Sequence, residues 1–261
     1  MKFGIVIPCY NEANRLNAEA FTQFTTMNPD YQLCFVNDGS RDNTLEVLEA
    51  LQQTNPVQIS VFDCAQNGGK AEAVRQGVQY LYGTTNLDYI GFLDADLSVS
   101  LEDFTELAET LARDNSLKIV CGSRVKRLGA EISRNLKRHI IGRSMATLIS
   151  TLLRMPFYDT QCGAKIFHRS LVPVAFGEKF QSAWLFDVEM FFRMKQYYGL
   201  NPAMNMIYEF PLRRWIHMED SKIGASDLYK IPVHLLRIDF HYQVRPRLAE
   251  VRLNLVPRFS H

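Results

Sequence analysis

Two short acidic stretches hold the residues whose type and spacing best suit chemistry. Asp94-Ala95-Asp96 follows Tyr89-Ile90-Gly91-Phe92-Leu93, an apolar run that reads as a buried strand, so both carboxylates are expected at that strand's carboxyl end. Open α/β sheets bind ligands at that end. A hard divalent cation such as Mg2+ takes one or two protein carboxylates and completes its shell with water and substrate phosphates, a need that an acidic pair at a sheet mouth meets. Asp-x-Asp alone is also an ordinary solvated turn. A second acidic turn, Asn37-Asp38-Gly39-Ser40, adds weight because it too closes an apolar strand, at 33–36. Asp187 and Glu189 sit at the start of an aromatic helical stretch, as first-turn acids that favour the helix dipole or as a base.

The elements that must position these acids alternate along the first half of the chain. Phe3-Gly4-Ile5-Val6-Ile7-Pro8 reads as a first strand delivering the polar turn Cys9-Tyr10-Asn11-Glu12, followed by a helix over about 13–27. The strand at 33–36 leads to a helix over 43–51 with Ser40 or Asp42 as cap candidates, and then to a strand over 58–62. Asn67-Gly68-Gly69-Lys70 opens the next helix. Strand, helix, strand, helix and strand in about 90 residues imply parallel crossovers and a doubly wound sheet. A helix over 100–113, a strand over 117–121, a helix from 136 to 152 and an apolar run over 164–167 follow. Residues 204–211 read as a last strand, expected to be antiparallel, and Pro232 is expected to kink or interrupt the amphipathic tail.

Composition narrows the function classes. The net charge of +1 gives no global pull toward nucleic acid, yet seven Lys or Arg face the single acid Glu131 between Arg124 and Arg143. Five scattered cysteines in or beside apolar runs resemble reduced core residues, which favours the cytoplasm. The amino terminus carries no signal-peptide pattern, and no uncharged apolar run approaches the ~20 residues of a spanning helix, so membrane contact is expected to be peripheral. The phosphate-loop spacing is absent around Gly69-Lys70, and no Gly-x-Gly-x-x-Gly follows the first strand. Asn67 and Lys70 can still lie near a nucleotide, because glycines permit close backbone approach and an ammonium neutralises phosphate.

Ile7-Pro8-Cys9-Tyr10-Asn11-Glu12, Asn37-Asp38-Gly39-Ser40, Asn67-Gly68-Gly69-Lys70 and Asp94-Ala95-Asp96 occur in the order and approximate spacing of one family. Together they resemble the inverting family-2 glycosyltransferases with the GT-A fold. Gly122-Ser123-Arg124, the segment holding Arg134 and Arg138, Asp159 to Lys165 and Trp184 to Glu189 look most like dolichyl-phosphate glucosyltransferases, with dolichyl-phosphate mannose synthases slightly more distant. The likeness covers roughly residues 3–225, implying a GT-A domain over 1–225 and a basic, amphipathic tail over 226–261 that can associate with a membrane. Two features depart from the eukaryotic pattern: the chain starts at the first strand without a membrane anchor, and Leu97 stands where Gly or an acid is common. A bacterial or archaeal polyprenyl phosphate is then as natural an acceptor as dolichol.

The resemblance implies a UDP-sugar donor, a polyprenyl phosphate acceptor and Mg2+ or Mn2+. Pro8, Tyr10, Glu12 and Asp38 would surround the nucleoside, Asn67 and Lys70 would lie beside it, Asp94 would sit near the ribose or sugar, and Asp96 would hold the metal. Arg124, Arg134 and Arg138 are the candidate acceptor-phosphate ligands, since guanidinium groups grip phosphate as a fork. Asp94, Asp96 and Asp187 are the candidate catalytic acids. An anionic lipid phosphate needs no strong base; a same-fold enzyme acting on a sugar hydroxyl would need one, from Asp187 or Glu189. A phosphohydrolase with Asp94 as nucleophile and a non-catalytic nucleotide-sugar-binding protein are the readings from other classes.

Overall fold

The computed structural model describes residues 1–133, 136–216 and 231–244, with the side chains of 136–141 outside that description. Seven strands form one sheet in the order β3-β2-β1-β4-β7-β5-β8. They are β1 (Phe3–Cys9), β2 (Tyr31–Asn37), β3 (Ile59–Asp63), β4 (Tyr89–Leu93), β5 (Ile119–Ser123), β7 (Ala164–His168) and β8 (Ile207–Pro211). Alternation along each strand sends neighbours to opposite faces. Ile5, Ile7, Leu33 and Phe35 therefore enter one core with helices α1 (Ala18–Met27), α2 (Thr44–Thr54) and α4 (Leu101–Arg113). Val6, Cys34 and Val36 enter the other, with α3 (Lys70–Thr84), α5 (Leu136–Leu153), α6 (Val172–Phe176) and α7 (Phe186–Tyr198). The expected doubly wound sheet with helices on both faces is what forms.

Several details differ from the sequence reading. Helix α1 begins at Ala18, five residues late, because 12–16 is drawn into a turn on the neighbouring loop: Leu16 N–H donates to Glu12 O at 2.9 Å and Glu12 N–H to Thr44 Oγ1 at 2.8 Å. Asn17 then caps the helix, its side chain accepting from Ala20 N–H. The last strand runs parallel to β5, and the reversed strand is β7, antiparallel to both β4 and β5. Residues 204–205 belong to the short helix α8 (Leu200–Asn205) ahead of it. Pro232 does not interrupt the tail: it is the second residue of helix α9 (Ile231–Asp239), in the first turn, where a missing N–H costs nothing. A two-stranded parallel sheet pairs β6 (Glu131–Ile132) with β9 (Arg214–Trp215).

Leu235 and Ile238 of helix α9 enter the same core as α7, and the π-helical turn Phe240–Val244 docks on α7. Tyr242 stacks on Phe192 at 5.9 Å, Arg193 Nε donates to its hydroxyl at 3.0 Å, and Gln243 Nε2 donates to Leu152 O. No helix among the described residues is long and apolar enough to cross a membrane. All five cysteines are buried core residues that form no disulfide.

Candidate active site

The carboxyl ends of β1, β2 and β4 border a cleft of about 410 Å³ that brings together Pro8, Tyr10, Glu12, Asp38, Asn67, Lys70, Asp94 and Asp96. Residues expected from four separate stretches thus line one cavity. Arg15 and Trp184 line it as well and were not anticipated. Arg15 enters through the early turn, where its Nε lies 3.5 Å from the Glu12 carboxylate. Trp184 is 42% exposed, an unusual placement for a large aromatic, and lies just before α7.

Reciprocal hydrogen bonds fix the first two loops against each other. Asn11 N–H donates to Ser40 Oγ at 3.0 Å, and Arg41 N–H returns a bond to Asn11 Oδ1 at 2.9 Å. Asn11 takes a left-handed backbone, φ 53°, which asparagine tolerates better than most residues. Asp38 is buried, and its two oxygens accept from Gly68 N–H at 2.7 Å and Gly69 N–H at 2.9 Å. Asn67 Nδ2 donates to Asp38 O. Burial pushes the Asp38 carboxyl above its ordinary pKa, against the pull of those two amides. Asp38 therefore shapes the 67–70 loop in addition to lining the cleft, and a carboxylate's four lone-pair sites leave it capacity for a ligand.

At the end of β4, Asp94 N–H donates to Gly163 O at 3.0 Å, while Asp94 Oδ1 meets the Lys70 ammonium at 2.5 Å. Gly163 is required there, because a Cβ at that position would overlap the Asp94 carboxylate. Asp96 Oδ1 accepts from Ser98 N–H at 2.9 Å. Leu97 between them has φ 51°, a strained conformation for a residue with a side chain. Among the described residues no group of three His, Cys, Asp or Glu is placed to hold a metal. A Mg2+-like ion bound mainly through water and phosphates needs only one or two carboxylates, and Asp96 and Asp94, which both line the cleft, could supply such an oxygen-only set.

Asp187 lies behind this cleft and does not line it. It is buried, and Lys165 Nζ donates to its Oδ1 at 2.6 Å. Burial pulls the Lys165 pKa down, but Asp187 holds it above the ordinary lysine value. Glu189 is fully buried, its oxygens accepting from Ser182 N–H at 2.8 Å and Gln181 N–H at 3.0 Å. Both acids of α7 thus have structural partners.

Arg124 Nε and Nη2 grip Asp159 at 2.6 and 2.8 Å in a fork, and the guanidinium lies 5.3 Å from the Trp215 ring centroid. Burial alone would lower its pKa; Asp159 raises it. Glu209 of β8 holds the backbone of this partner, accepting from Tyr158 and Asp159 N–H at 2.7 Å each. The fork expected for an acceptor phosphate is already engaged by a carboxylate. Arg134 and the side chain of Arg138 lie outside the described residues.

Comparison with known proteins agrees with this architecture. A dolichyl-phosphate beta-glucosyltransferase, ALG5C, from Trichomonas vaginalis is 29% identical over 250 residues, covering 91% of this chain and 71% of the relative. The dolichyl-phosphate beta-glucosyltransferase of Saccharomyces cerevisiae is also 29% identical, over 92% of this chain and 74% of the relative. Among solved structures, glucosyl-3-phosphoglycerate synthase from Mycobacterium tuberculosis with Mn2+ and uridine-diphosphate-glucose superposes with a TM-score of 0.67 at 15% identity, over 92% of this chain and 78% of that one. The family model described as Glycosyl transferase family 2 matches residues 4–175, which take in β1 from its second residue, β2 through β7 and every cleft-lining residue named above except Trp184. The chain belongs to glycosyl transferase family 2 and has the GT-A fold.

Proposed function

We propose that this chain transfers glucose from UDP-glucose to a polyprenyl phosphate with inversion at the anomeric carbon, aided by Mg2+ or Mn2+. The observation that carries the acceptor class is the state of α7: Asp187 is bonded to Lys165 and Glu189 to two backbone amides, so neither is poised to deprotonate a sugar hydroxyl. An acceptor that arrives as an anion needs no such base. The names of the relatives support glucose and a polyprenyl-type phosphate acceptor, and uridine-diphosphate-glucose is the ligand named with the similar solved structure. When bound, the metal supplies charge stabilisation to the departing diphosphate. Asp96 would hold the ion, and Lys70, paired with Asp94 in this structure, would add a cation toward the phosphate oxygens. The test is to offer UDP-glucose with a short prenyl phosphate and, separately, with sugar acceptors, and to identify products by mass spectrometry. A β-linked prenyl phosphoglucose is expected; transfer to a sugar hydroxyl alone would replace this reading with the same-fold rival.

Asp38 belongs to the nucleoside side of this proposal. Asp38→Ala removes the acceptor of the Gly68 and Gly69 amides and any bond to the ligand. A lost hydrogen bond to a charged group is worth about 1.5–3 kcal/mol, or roughly 10- to 150-fold in UDP affinity. The chain has two tryptophans, and Trp184 lines the cleft, so its fluorescence in a Trp215→Phe background can report binding directly. An unchanged UDP dissociation constant would reduce Asp38 to a turn residue.

The acceptor phosphate remains assigned to the basic segment, with Arg134 and Arg138 as its forks and Arg124 contributing charge beside Asp159. We also place the tail at a membrane surface. Leu235 and Ile238 of α9 are buried, whereas Val233, Leu236 and Phe240 are exposed at a spacing of three and four, forming an outward apolar stripe beside Arg237. Each large apolar side chain moved out of water contributes about 1.5–3 kcal/mol. Leu236→Ser with Phe240→Ser should therefore sharply reduce co-sedimentation with anionic lipid vesicles while leaving transfer to a short, water-soluble prenyl phosphate intact.

A further inference from the structure

Lys165 is a fully buried lysine on the central reversed strand, paired in register with Phe92 of β4. Its ammonium has two destinations: Cys162 O at 2.7 Å and Asp187 Oδ1 at 2.6 Å. The first lies in the turn leading into β7, and the second in the first turn of α7. A second bond joins the same two segments, from Gln161 Nε2 to Trp184 O at 3.4 Å. Between those bonds Gly163 presents its carbonyl to Asp94 N–H and its bare Cα to the Asp94 carboxylate. The turn that seats Asp94 is therefore tied at both sides to the residues that open α7, including Trp184 at the cleft.

Electrostatics couple the same groups. Lys70 and Asp94 are close enough for their charges to act on Asp187, so Lys165, Asp187, Lys70 and Asp94 form a sequence of alternating sign running from the sheet interior into the cleft. An isolated buried ion pair is weak evidence of stabilisation, because desolvation offsets the attraction and apolar residues of similar volume often serve as well. The contacts of this pair with the turn beneath Asp94 give it a different use.

We infer that Lys165 and Asp187 form a positioning pair that holds the Cys162-Gly163 turn, and through it Asp94, in the geometry needed to take a metal–diphosphate. This inference rests on the donor site proposed above. Neither residue lines the cleft; they act through Gly163 and Asp94. The nucleoside side of the cleft, built by the β1 and β2 loops, is held by separate bonds and does not depend on the pair.

The experiment measures UDP affinity by calorimetry with and without Mn2+ in three forms: wild type, Asp187→Asn, and the double variant Lys165→Met with Asp187→Leu. The double variant removes both charges while keeping apolar volume, so that no uncompensated charge is left buried. Thermal unfolding verifies that each form is folded. Metal-free UDP affinity is expected to stay within about twofold, whereas the gain that Mn2+ confers should fall by about 10- to 100-fold, the usual cost of losing a group that orients a metal ligand. A folded double variant that keeps the full Mn2+-dependent gain overturns the inference and makes the pair a packing feature. An equal loss of UDP affinity with and without Mn2+ also overturns it, because the pair would then act on the nucleoside side. If wild-type UDP binding ignores Mn2+, the donor-site proposal falls together with the inference, which separates that failure from the other two.

Discussion

Asp96→Asn is expected to lower glucosyl transfer by about three orders of magnitude while leaving the fold intact. The size follows from the chemistry: a bound cation contributes several kcal/mol to a developing negative charge, and about 4 kcal/mol corresponds to roughly a thousandfold in rate. An amide oxygen is a poorer ligand than a carboxylate for a hard cation. The fold should survive because the Ser98 N–H bond made by Asp96 Oδ1 can be kept by the Asn oxygen, and the side chain lies at the cleft rather than in a core. Steady-state transfer assays over a Mn2+ series, with UDP affinity measured in parallel, check this. Chelation of the wild type should produce the same loss, reversed by Mg2+ or Mn2+. Near-normal turnover of Asp96→Asn in metal-supplemented buffer would remove Asp96 from the metal site.

Much of this site was legible because each piece is local in sequence. Strands β1, β2 and β4 are short apolar runs that end on polar turns, and parallel strands deliver their carboxyl ends to one edge. Pro8 to Glu12, Asp38 and Asp94 to Asp96 thus converge without any knowledge of long-range contacts. The direction of β7 was not legible, since an apolar run looks the same whichever way it pairs. Nor were partners that meet from afar, such as Arg124 with Asp159, 35 residues apart, and Lys165 with Asp187, 22 apart. For Lys165 there was a signal: a lysine beside Ala164, Ile166 and Phe167 interrupts a run that otherwise reads as buried, and a buried lysine requires a partner. Arg124 carried the opposite hazard, because its place in a basic segment suggested a free fork that the fold commits to a carboxylate. The late start of α1 has the same origin, as Glu12 and Leu16 are claimed by a turn against the β2 loop that no local pattern announces.

Gly163→Ala tests the geometry of Asp94 more severely than any change to Asp94 itself, because it leaves every charge in the cleft in place. The added methyl would collide with the Asp94 carboxylate. That group has little freedom to retreat, since the Asp94 N–H donates to Gly163 O and its Oδ1 is ion-paired with Lys70. Either Asp94 abandons Lys70 and rotates, or the turn into β7 moves away from β4. Overpacking of this kind typically costs about 1–3 kcal/mol of stability, and a misplacement of about 1 Å at a reacting centre can cost on the order of a hundredfold in rate. Gly83→Ala is the matching control: it also adds one methyl, but within helix α3 and into open space. Removing a helical glycine should stabilise the fold by about 0.5–1 kcal/mol, with transfer unchanged. A Gly163→Ala chain that retains both full transfer and Mn2+-dependent UDP binding would mean that the Asp94 carboxylate can leave its seat without consequence. Loss of both, in a chain that still unfolds cooperatively and still binds metal-free UDP, would locate the defect at the acidic pair and not in the nucleoside half of the cleft.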